Sequence, residues 1–290
     1  MVQLPSAPTA NTVTLRGDYS RAKSDYTVDQ DYTQYTPDDQ SIWRTLFTRQ
    51  LPLIEQYGAP EVVHGIRALG ASADHIPDFE QTNRKLLALT NWNIVAVPGL
   101  IPEEHFYAHL AKRQFPVSVW MRNRGELDYL QEPDLFHDFF GHVALLTNPV
   151  FARFMQAYGE AGPKADSHRA IKMLARLYWY TVEFGLIQTP HGLRAYGAGI
   201  LSSKGETVFS VESPAPNRIA FDLVRVMRTN YLIDDFQKSY FVLESFDQLF
   251  HAGYDTDFAP IYDRYADESG FEPEQVLTMD RVITRGSQVR

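Results

Sequence analysis

Two histidines lie five residues apart in the segment 132–142, which reads EPDLFHDFFGH. In an α-helix, residues five apart point about 140° away from each other around the axis. One metal ion could therefore bind both His137 and His142 only if it lay off the first turn. The i, i+4 histidine pair and intervening glutamate of zinc peptidases are absent. Because a histidine pair alone is commonly structural, a metal site requires a third ligand.

The apolar, aromatic run 173–187 supplies a candidate for that ligand. It contains one acidic residue, Glu183, in a segment long enough to form a buried helix. A buried carboxylate is normally paired with a cation or bound to a metal, because burying an unpaired charge is costly. A salt bridge to Arg176 or Arg194 is the structural alternative. With the two histidines, Glu183 would complete the two-histidine, one-carboxylate set of non-haem Fe(II) oxygenases.

Composition narrows the class of protein. The chain has 290 residues, which suits one large domain or two small ones, and nothing in it indicates a second domain. Its 27 basic and 36 acidic residues give a net charge of −9, which disfavours a nucleic-acid partner. It has no cysteine, so disulfides and thiolate metal ligands are excluded. No long apolar span or signal pattern occurs, so we expect no membrane association and a cytoplasmic location.

Apolar periodicity predicts a mainly α-helical single domain over 37–290 with a few short strands, preceded by a polar N-terminal arm over 1–36. We expect the arm to be disordered at first and then held against the body by its tyrosines. Pro37 begins a helix that Pro52 should end or kink, and Gly159 and Gly162 should interrupt the helix that starts at 148. The other predicted helices cover 60–69, 78–89, 169–187 and 217–228, one more starts at about 101, and the predicted strands cover 93–97, 117–121, 207–211 and 240–243.

Five aromatic-rich stretches carry a likeness to a known family. They are VPGLI at 97–101, EPDLFHDFFGH at 132–142, ARLYWYTVEFG at 175–185, YGAGILSS at 196–203 and FQKSYFVLES at 236–245. On these stretches the chain resembles the aromatic amino acid hydroxylases, most closely the bacterial phenylalanine 4-hydroxylases. The resemblance implies a helical basket around Fe(II). It also implies a monooxygenase that uses O2 and a tetrahydropterin, tetrahydrobiopterin or a relative of it, to convert L-phenylalanine to L-tyrosine.

The same resemblance assigns residues to roles. The metal ligands are His137, His142 and Glu183. The pterin contacts are Gly99, Leu100, Ile101, Phe106, which would stack on the pterin ring, and Asp138. The substrate contacts are Arg122, which would clamp the amino acid carboxylate, the apolar wall of Pro133, Trp179 and Phe184, and the bordering Gly199 and Ser203. Glu132 and Tyr178 would lie near the iron, and Ser202 would hydrogen-bond a ligating imidazole.

Several expectations about selectivity and assembly follow. The bulk of Trp179 should favour a single ring over an indole, so we expect phenylalanine first, tryptophan distant and tyrosine least. The chain is too short for both a regulatory domain and an oligomerisation helix like those of animal relatives, so we expect a monomer without allosteric control by substrate. Three alternatives stay open: a related hydroxylase acting on tryptophan, a zinc hydrolase with the same ligands, and a non-catalytic metal-binding relative.

Overall fold

The longest helix begins where the sequence supplies both a cap and an apolar stripe. In this computed structural model, which describes residues 15–288, helix α1 spans Pro37–Tyr57. Thr36 and Asp39 form a reciprocal capping box at its start, which satisfies free backbone N–H groups of the first turn. The helix buries an apolar stripe that includes Trp43 and Phe47. Trp43 packs edge-on against Phe136, just before the first metal-binding candidate, so α1 braces that segment.

Ten further α-helices follow α1 in the described part of the chain, and α5 is nearly as long as α1. After α1 come α2 (Pro60–Leu69), α3 (Phe79–Thr90), α4 (Glu103–Ala111), α5 (Pro149–Ser167), α6 (Ile171–Tyr178), α7 (Ala198–Leu201), α8 (Lys204–Glu212), α9 (Leu223–Met227), α10 (Phe246–Tyr254) and α11 (Ala259–Tyr265). Two π-helices, His137–His142 and Trp179–Glu183, carry the candidate metal ligands. Among residues 15–288, no helix is both long and apolar enough to cross a membrane.

Two small sheets complete the fold. Strands β1 (Asn93–Val97) and β2 (Gln114–Ser118) pair in parallel. The larger sheet has the order β4-β3-β6-β5-β7, formed by β3 (Leu186–Thr189), β4 (Gly192–Ala195), β5 (Asn217–Ala220), β6 (Ser239–Leu243) and β7 (Val282–Thr284). Its central pairs, β3 with β6 and β6 with β5, are parallel, and its outer pairs are antiparallel. Because β3 directly follows the second π-helix, this sheet anchors the segment that carries Glu183.

Some predicted helix ends are not found. Helix α1 was expected to end or kink at Pro52; it does not end there but continues through it to Tyr57, because the residues on both sides of the proline pack in the core. Helix α5 is not interrupted by Gly159 or Gly162. Both glycines are sites of close packing, since a Cβ on Gly159 would lie 2.4 Å from the Ala111 nitrogen and one on Gly162 would lie 2.3 Å from the ring of Tyr107. Their small size lets α4 pack directly on α5.

The chain between 169 and 228 differs more from the prediction. The single long helix expected at 169–187 consists of α6, a π-helix and β3. The expected strand at 207–211 lies within α8, whose start is capped by the Ser203 hydroxyl accepting the Glu206 N–H. The expected helix at 217–228 divides into β5 and α9. Tertiary pairing decides this last case, because every residue of β5 is buried and hydrogen-bonded beside β6.

The described part of the arm lies along the body of the protein. The Tyr19 hydroxyl donates to the Leu100 carbonyl at 2.8 Å, and the Tyr32 hydroxyl donates to the Ile76 carbonyl at 2.6 Å. The Val28 N–H donates to the Ala96 carbonyl at the end of β1. The disorder expected at the start of the arm concerns residues 1–14, which lie outside the described residues.

Candidate metal centre and active site

The segment His137–His142 is a π-helix, and this corrects the geometry assumed for the histidine pair. The i→i+5 hydrogen bonding of a π-helix places residues five apart on the same face, whereas an α-helix would separate them. The two imidazole centroids are accordingly 5.1 Å apart. A single ion can therefore contact both rings from one face of the helix. The local helix type explains the i, i+5 spacing.

Glu183 completes a compact set of ligand atoms. Its Oε1 lies 3.2 Å from His142 Nε2, and its Oε2 lies 3.6 Å from His137 Nε2. One ligand atom from each of the three residues lies within 4.8 Å of the other two. His137 Nε2 is buried and has no hydrogen-bond partner among the described residues, and Glu183 Oε1 lies near His142 Nε2 without the angle of a hydrogen bond. Buried polar atoms without partners are costly, so their convergence fits a bound cation with imidazole and oxygen ligands.

The protonation states of these side chains also suit a metal. Burial opposes ionisation of Glu183, but attraction to His142 outweighs it and holds the pKa of Glu183 at about 2. Burial lowers the pKa of His137, which keeps that imidazole neutral. An ionised carboxylate and a neutral imidazole are the forms that bind metals. The alternative salt bridges are absent from the described residues, since Arg176 donates to Asn230 and Arg194 to the Leu193 carbonyl.

Ser202 fixes the orientation of one histidine. Its hydroxyl donates to the Ala198 carbonyl at 2.8 Å and lies 2.8 Å from His137 Nδ1. Because the hydroxyl hydrogen is directed to Ala198, the imidazole donates its Nδ1–H to Ser202, and the Nε2 lone pair faces Glu183. Ser202 lies at the end of α7, whose close approach to the first π-helix depends on Gly141.

The loop after β1 lies against Glu132. A Cβ on Gly99 would be 2.6 Å from Glu132 Oε1 and 2.9 Å from the Tyr19 hydroxyl, so only glycine allows this approach. Glu132 Oε2 accepts the backbone N–H of Arg16 at 3.0 Å, while Oε1 is buried without a hydrogen-bond partner among the described residues. Burial raises the pKa of Glu132. The arm therefore contacts both the loop and a carboxylate with one unused oxygen.

Arg122 is buried in a bidentate pair with Asp134. Its Nε and Nη2 each donate to one Asp134 oxygen at 2.8 Å. Burial opposes ionisation of Asp134, but its contacts with Arg122 lower the pKa of that carboxyl. Asp134 also accepts the N–H of His137 at 3.0 Å, so one carboxylate ties the arginine to the first metal ligand. The Nη1 of Arg122 has no hydrogen-bond partner among residues 15–288.

Three aromatic rings form a stack beside Glu183. The indole of Trp179 lies 4.3 Å from the ring of Tyr231 at an interplanar angle of 16°, and 4.7 Å from the ring of Phe184 at 37°. Gly199 faces Phe184, since a Cβ there would be 2.7 Å from that ring. Pro133 is buried, and its carbonyl accepts the Ser118 hydroxyl.

The remaining predicted residues each have defined contacts or are buried. Phe106 is buried edge-on against Tyr178, and the Tyr178 hydroxyl is buried without a partner among the described residues. Asp138 accepts the Ser118 N–H through Oδ2 at 2.8 Å. Ser203 uses its hydroxyl to cap α8. Leu100 and Ile101 are buried in the loop beside Glu132.

Four residues of this region carried no role in the sequence prediction. Asp134 orients Arg122, Tyr231 stacks on Trp179, Gln237 accepts the Trp179 indole N–H, and Arg16 contacts Glu132. Asp134 had a usable signal, because it lies three residues before His137 and could cap that segment. The other three come from distant parts of the chain, and no local pattern places them here.

Comparisons with known proteins agree with this geometry. The sequence model of the biopterin-dependent aromatic amino acid hydroxylase family matches residues 14–265 of this chain. The chain is 50% identical over 285 residues to Phenylalanine-4-hydroxylase of Chromobacterium violaceum, which covers 98% of this chain and 94% of that protein. It is 53% identical over 266 residues to Phenylalanine-4-hydroxylase of Ralstonia nicotianae, which covers 92% and 85%.

The structural match is equally extensive. The crystal structure of the Chromobacterium violaceum phenylalanine hydroxylase with iron and phenylalanine bound matches with a TM-score of 0.86 and 50% identity, over 90% of this chain and 94% of that one. The expected fold, mainly helical with a few short strands, is confirmed. With matches that cover nearly the whole chain and a buried two-histidine, one-carboxylate centre, the chain belongs to the biopterin-dependent aromatic amino acid hydroxylases.

Proposed function

We propose that the protein is an Fe(II)- and tetrahydropterin-dependent monooxygenase that hydroxylates L-phenylalanine to L-tyrosine with O2. The observation that carries the proposal is the cluster of His137, His142 and Glu183, whose ligand atoms lie within 4.8 Å of one another. Three protein ligands on one side leave other coordination positions open. When bound, iron and the pterin supply the activation of O2, and the protein supplies binding, orientation and a dry site.

The residues next to the ligands position the centre and carry no oxygen chemistry themselves. Ser202 holds the His137 ring with Nε2 facing the metal position. Asp134 holds the His137 backbone at the start of the π-helix. Glu132 and Tyr178 each have a buried oxygen without a partner among the described residues, and these oxygens are available to water or pterin. Such supporting contacts typically contribute tenfold or more to metal affinity or activity.

The pterin site in this proposal is the loop Gly99, Leu100 and Ile101, together with Phe106 and Asp138. The proximity of Gly99 to Glu132 supports it. The loop lies against a carboxylate whose Oε1 is buried without a hydrogen-bond partner among the described residues. A tetrahydropterin ring presents N–H groups at its edge, which such oxygens accept. Phe106 packs edge-on against Tyr178, and in this proposal its ring stacks on the pterin.

The substrate site in this proposal combines one cation with an apolar wall. Arg122 binds the amino acid carboxylate, and its free Nη1 together with the bidentate grip of Asp134 supports that role. Pro133, Trp179 and Phe184 form the wall against the phenyl ring, with Gly199 and Ser203 at the border of the amino acid. A closely fitted apolar wall discriminates by about 1 to 3 kcal/mol per small group, so we expect phenylalanine first, tryptophan distant and tyrosine least.

The organisation of the whole chain is also part of the proposal. We place the catalytic domain at 37–290 and treat 1–36 as an arm of that domain, since its described part is hydrogen-bonded to the body. We further propose that the enzyme acts as a monomer in the cytoplasm, without allosteric control by phenylalanine. A zinc hydrolase is disfavoured because it has no use for the loop at Gly99 or for the aromatic wall.

The test is product analysis with purified protein. With Fe(II), a tetrahydropterin and O2, L-phenylalanine should yield L-tyrosine, and tryptophan should react more slowly. Protein loaded with zinc alone should be inactive, and removal of O2 should abolish turnover. Equal turnover with zinc, or product formation without O2, would overturn the proposal. A preference for tryptophan would leave the proposed reaction type standing and change the assignment of the substrate.

A further inference from the structure

Gln237 lies beside the aromatic stack and outside the set of residues discussed above as ligands or walls. It is 2% exposed and lies two residues before the start of strand β6. Its Oε1 accepts the indole N–H of Trp179 at 3.0 Å, in a fully buried hydrogen bond. Its Nε2 donates to the Leu232 carbonyl at 2.9 Å. One amide therefore joins the indole to the loop between α9 and β6.

The direction of these bonds is fixed by chemistry. An indole nitrogen is only a donor and a backbone carbonyl is only an acceptor, so the amide oxygen must face Trp179 and the amide nitrogen must face Leu232. The position of Gln237 is fixed as well, since its own N–H donates to Glu206 Oε1 at 3.2 Å and Glu206 also accepts the Tyr240 hydroxyl. The acceptor for the indole is thus held by β6 and α8.

The stack alone does not fix the angle of the Trp179 ring. Tyr231 is nearly parallel to the indole and Phe184 is tilted against it, and ring contacts of this kind define the plane of the indole more than its direction within that plane. The hydrogen bond to Gln237 is the directional contact that resists such a pivot. Without it, the indole N–H would be buried and unpaired, and the ring would turn to find another acceptor.

We propose that Gln237 is a positioning residue that sets substrate selectivity by locking the Trp179 indole against rotation. The inference rests on the proposed function, in which Trp179 forms part of the pocket wall that favours the phenyl ring of phenylalanine over the indole of tryptophan. Gln237 touches neither the metal position nor the substrate in this account, and it acts through Trp179 alone. Freeing the indole widens the slot and admits tryptophan more readily.

The test compares kcat/KM for phenylalanine with kcat/KM for tryptophan in the Fe(II)-loaded full chain with a tetrahydropterin. Gln237→Met keeps the length of the side chain and removes the acceptor, and the ratio should fall about tenfold, equivalent to 1.4 kcal/mol. Gln237→Asn withdraws the acceptor by one methylene and should change the ratio in the same direction. It serves as the second variant if Gln237→Met does not fold. Gln237→Glu retains an acceptor for the indole and, in the protonated form that burial favours, a donor for the Leu232 carbonyl, so it should keep the ratio within about twofold of the wild type.

A second substitution shows whether the effect passes through Trp179. In a Trp179→Phe background there is no indole N–H to hold, so adding Gln237→Met should alter the ratio less than twofold. Multiplicative effects of the two substitutions would overturn the proposal, because they would mean that Gln237 acts independently of Trp179. A ratio unchanged by Gln237→Met in the Trp179 background would overturn it too. A loss of folded protein alone lowers both kcat/KM values together and leaves the ratio constant.

The chain offers a matched control. Gln30 likewise uses its amide oxygen as an acceptor and its amide nitrogen as a donor, accepting the Phe79 N–H at 2.8 Å and donating to the Pro77 carbonyl at 2.9 Å, but it lies in the arm. Gln30→Met should leave the ratio unchanged. If the wild type makes no tyrosine at all, the proposed function fails. If Trp179→Phe changes the ratio but Gln237→Met does not, only the present inference fails.

Discussion

Replacing Ser202 with alanine tests how much the second contact of His137 contributes to the metal centre. The substitution removes the acceptor of the His137 Nδ1–H, which lies 2.8 Å from the hydroxyl, while the chain at the end of α7 keeps its backbone bonds. A buried donor left without a partner costs about 1 to 3 kcal/mol. Since each 1.4 kcal/mol is a factor of ten, a cost of this size borne by the metal-bound state should lower metal affinity by roughly 5- to 150-fold.

The assay is an anaerobic titration of Fe(II) or Co(II) against a competing chelator, with thermal unfolding of the metal-free protein as a measure of the fold. The matched control is Ser210→Ala, because Ser210 is also a buried serine whose hydroxyl donates to a backbone carbonyl, that of Thr207. We expect both variants to lose a similar, small amount of stability and only Ser202→Ala to lose metal affinity. Equal metal affinity in Ser202→Ala and the wild type would refute the orienting role of Ser202.

Three further substitutions test the site and its surroundings. Glu183→Gln keeps the shape but removes the charge that offsets the ion, so bound iron per chain and phenylalanine hydroxylation should both collapse; full iron content would contradict this. Tyr19→Phe removes the hydrogen bond to Leu100, worth about 0.5 to 1.5 kcal/mol, so the KM for tetrahydropterin should rise two- to tenfold while the KM for phenylalanine stays constant. Burial, with Glu104 and Asp166 nearby, raises the pKa of Glu103 to about 7. Because this pKa lies above that of the unfolded chain, stability is lost as pH rises from about 4.5 to 7. Glu103→Gln should therefore be more stable than the wild type at pH 8 by about 1 kcal/mol, after discounting for its partial exposure, and should show no gain at pH 4; an equal difference in urea unfolding at both pH values would contradict the assignment.

The ligand set could be taken from the sequence because each member is conspicuous by its chemistry. A chain without cysteine has few ways to bind a transition metal, and His137, His142 and Glu183 stand in runs that are otherwise apolar and aromatic. Two helix starts could also be predicted from the sequence, at Thr36 and Asn148, where a capping side chain precedes a proline. These features depend only on neighbours in the chain, so local rules were sufficient for them.

The helix type at the metal centre was not determined by any local rule. A π-helix is a poor helix in isolation, and at His137–His142 it persists because α1, α7 and β2 pack against it. The same holds for β5, whose polar-looking sequence NRIA forms a buried strand only because β6 lies beside it. In both segments the packing of tertiary neighbours, and not the local sequence, thus determines the secondary structure.

The sequence by itself therefore determined which groups are proposed to bind the ion and the class of fold that holds them. The tertiary structure alone decided how those groups are oriented, because the partners that orient them are remote in the chain: Ser202 for His137, and Gln237, which is 58 residues from Trp179. Side-chain hydrogen bonds between such positions leave no period or spacing in the sequence. Their directions exist only once the helices and strands have packed.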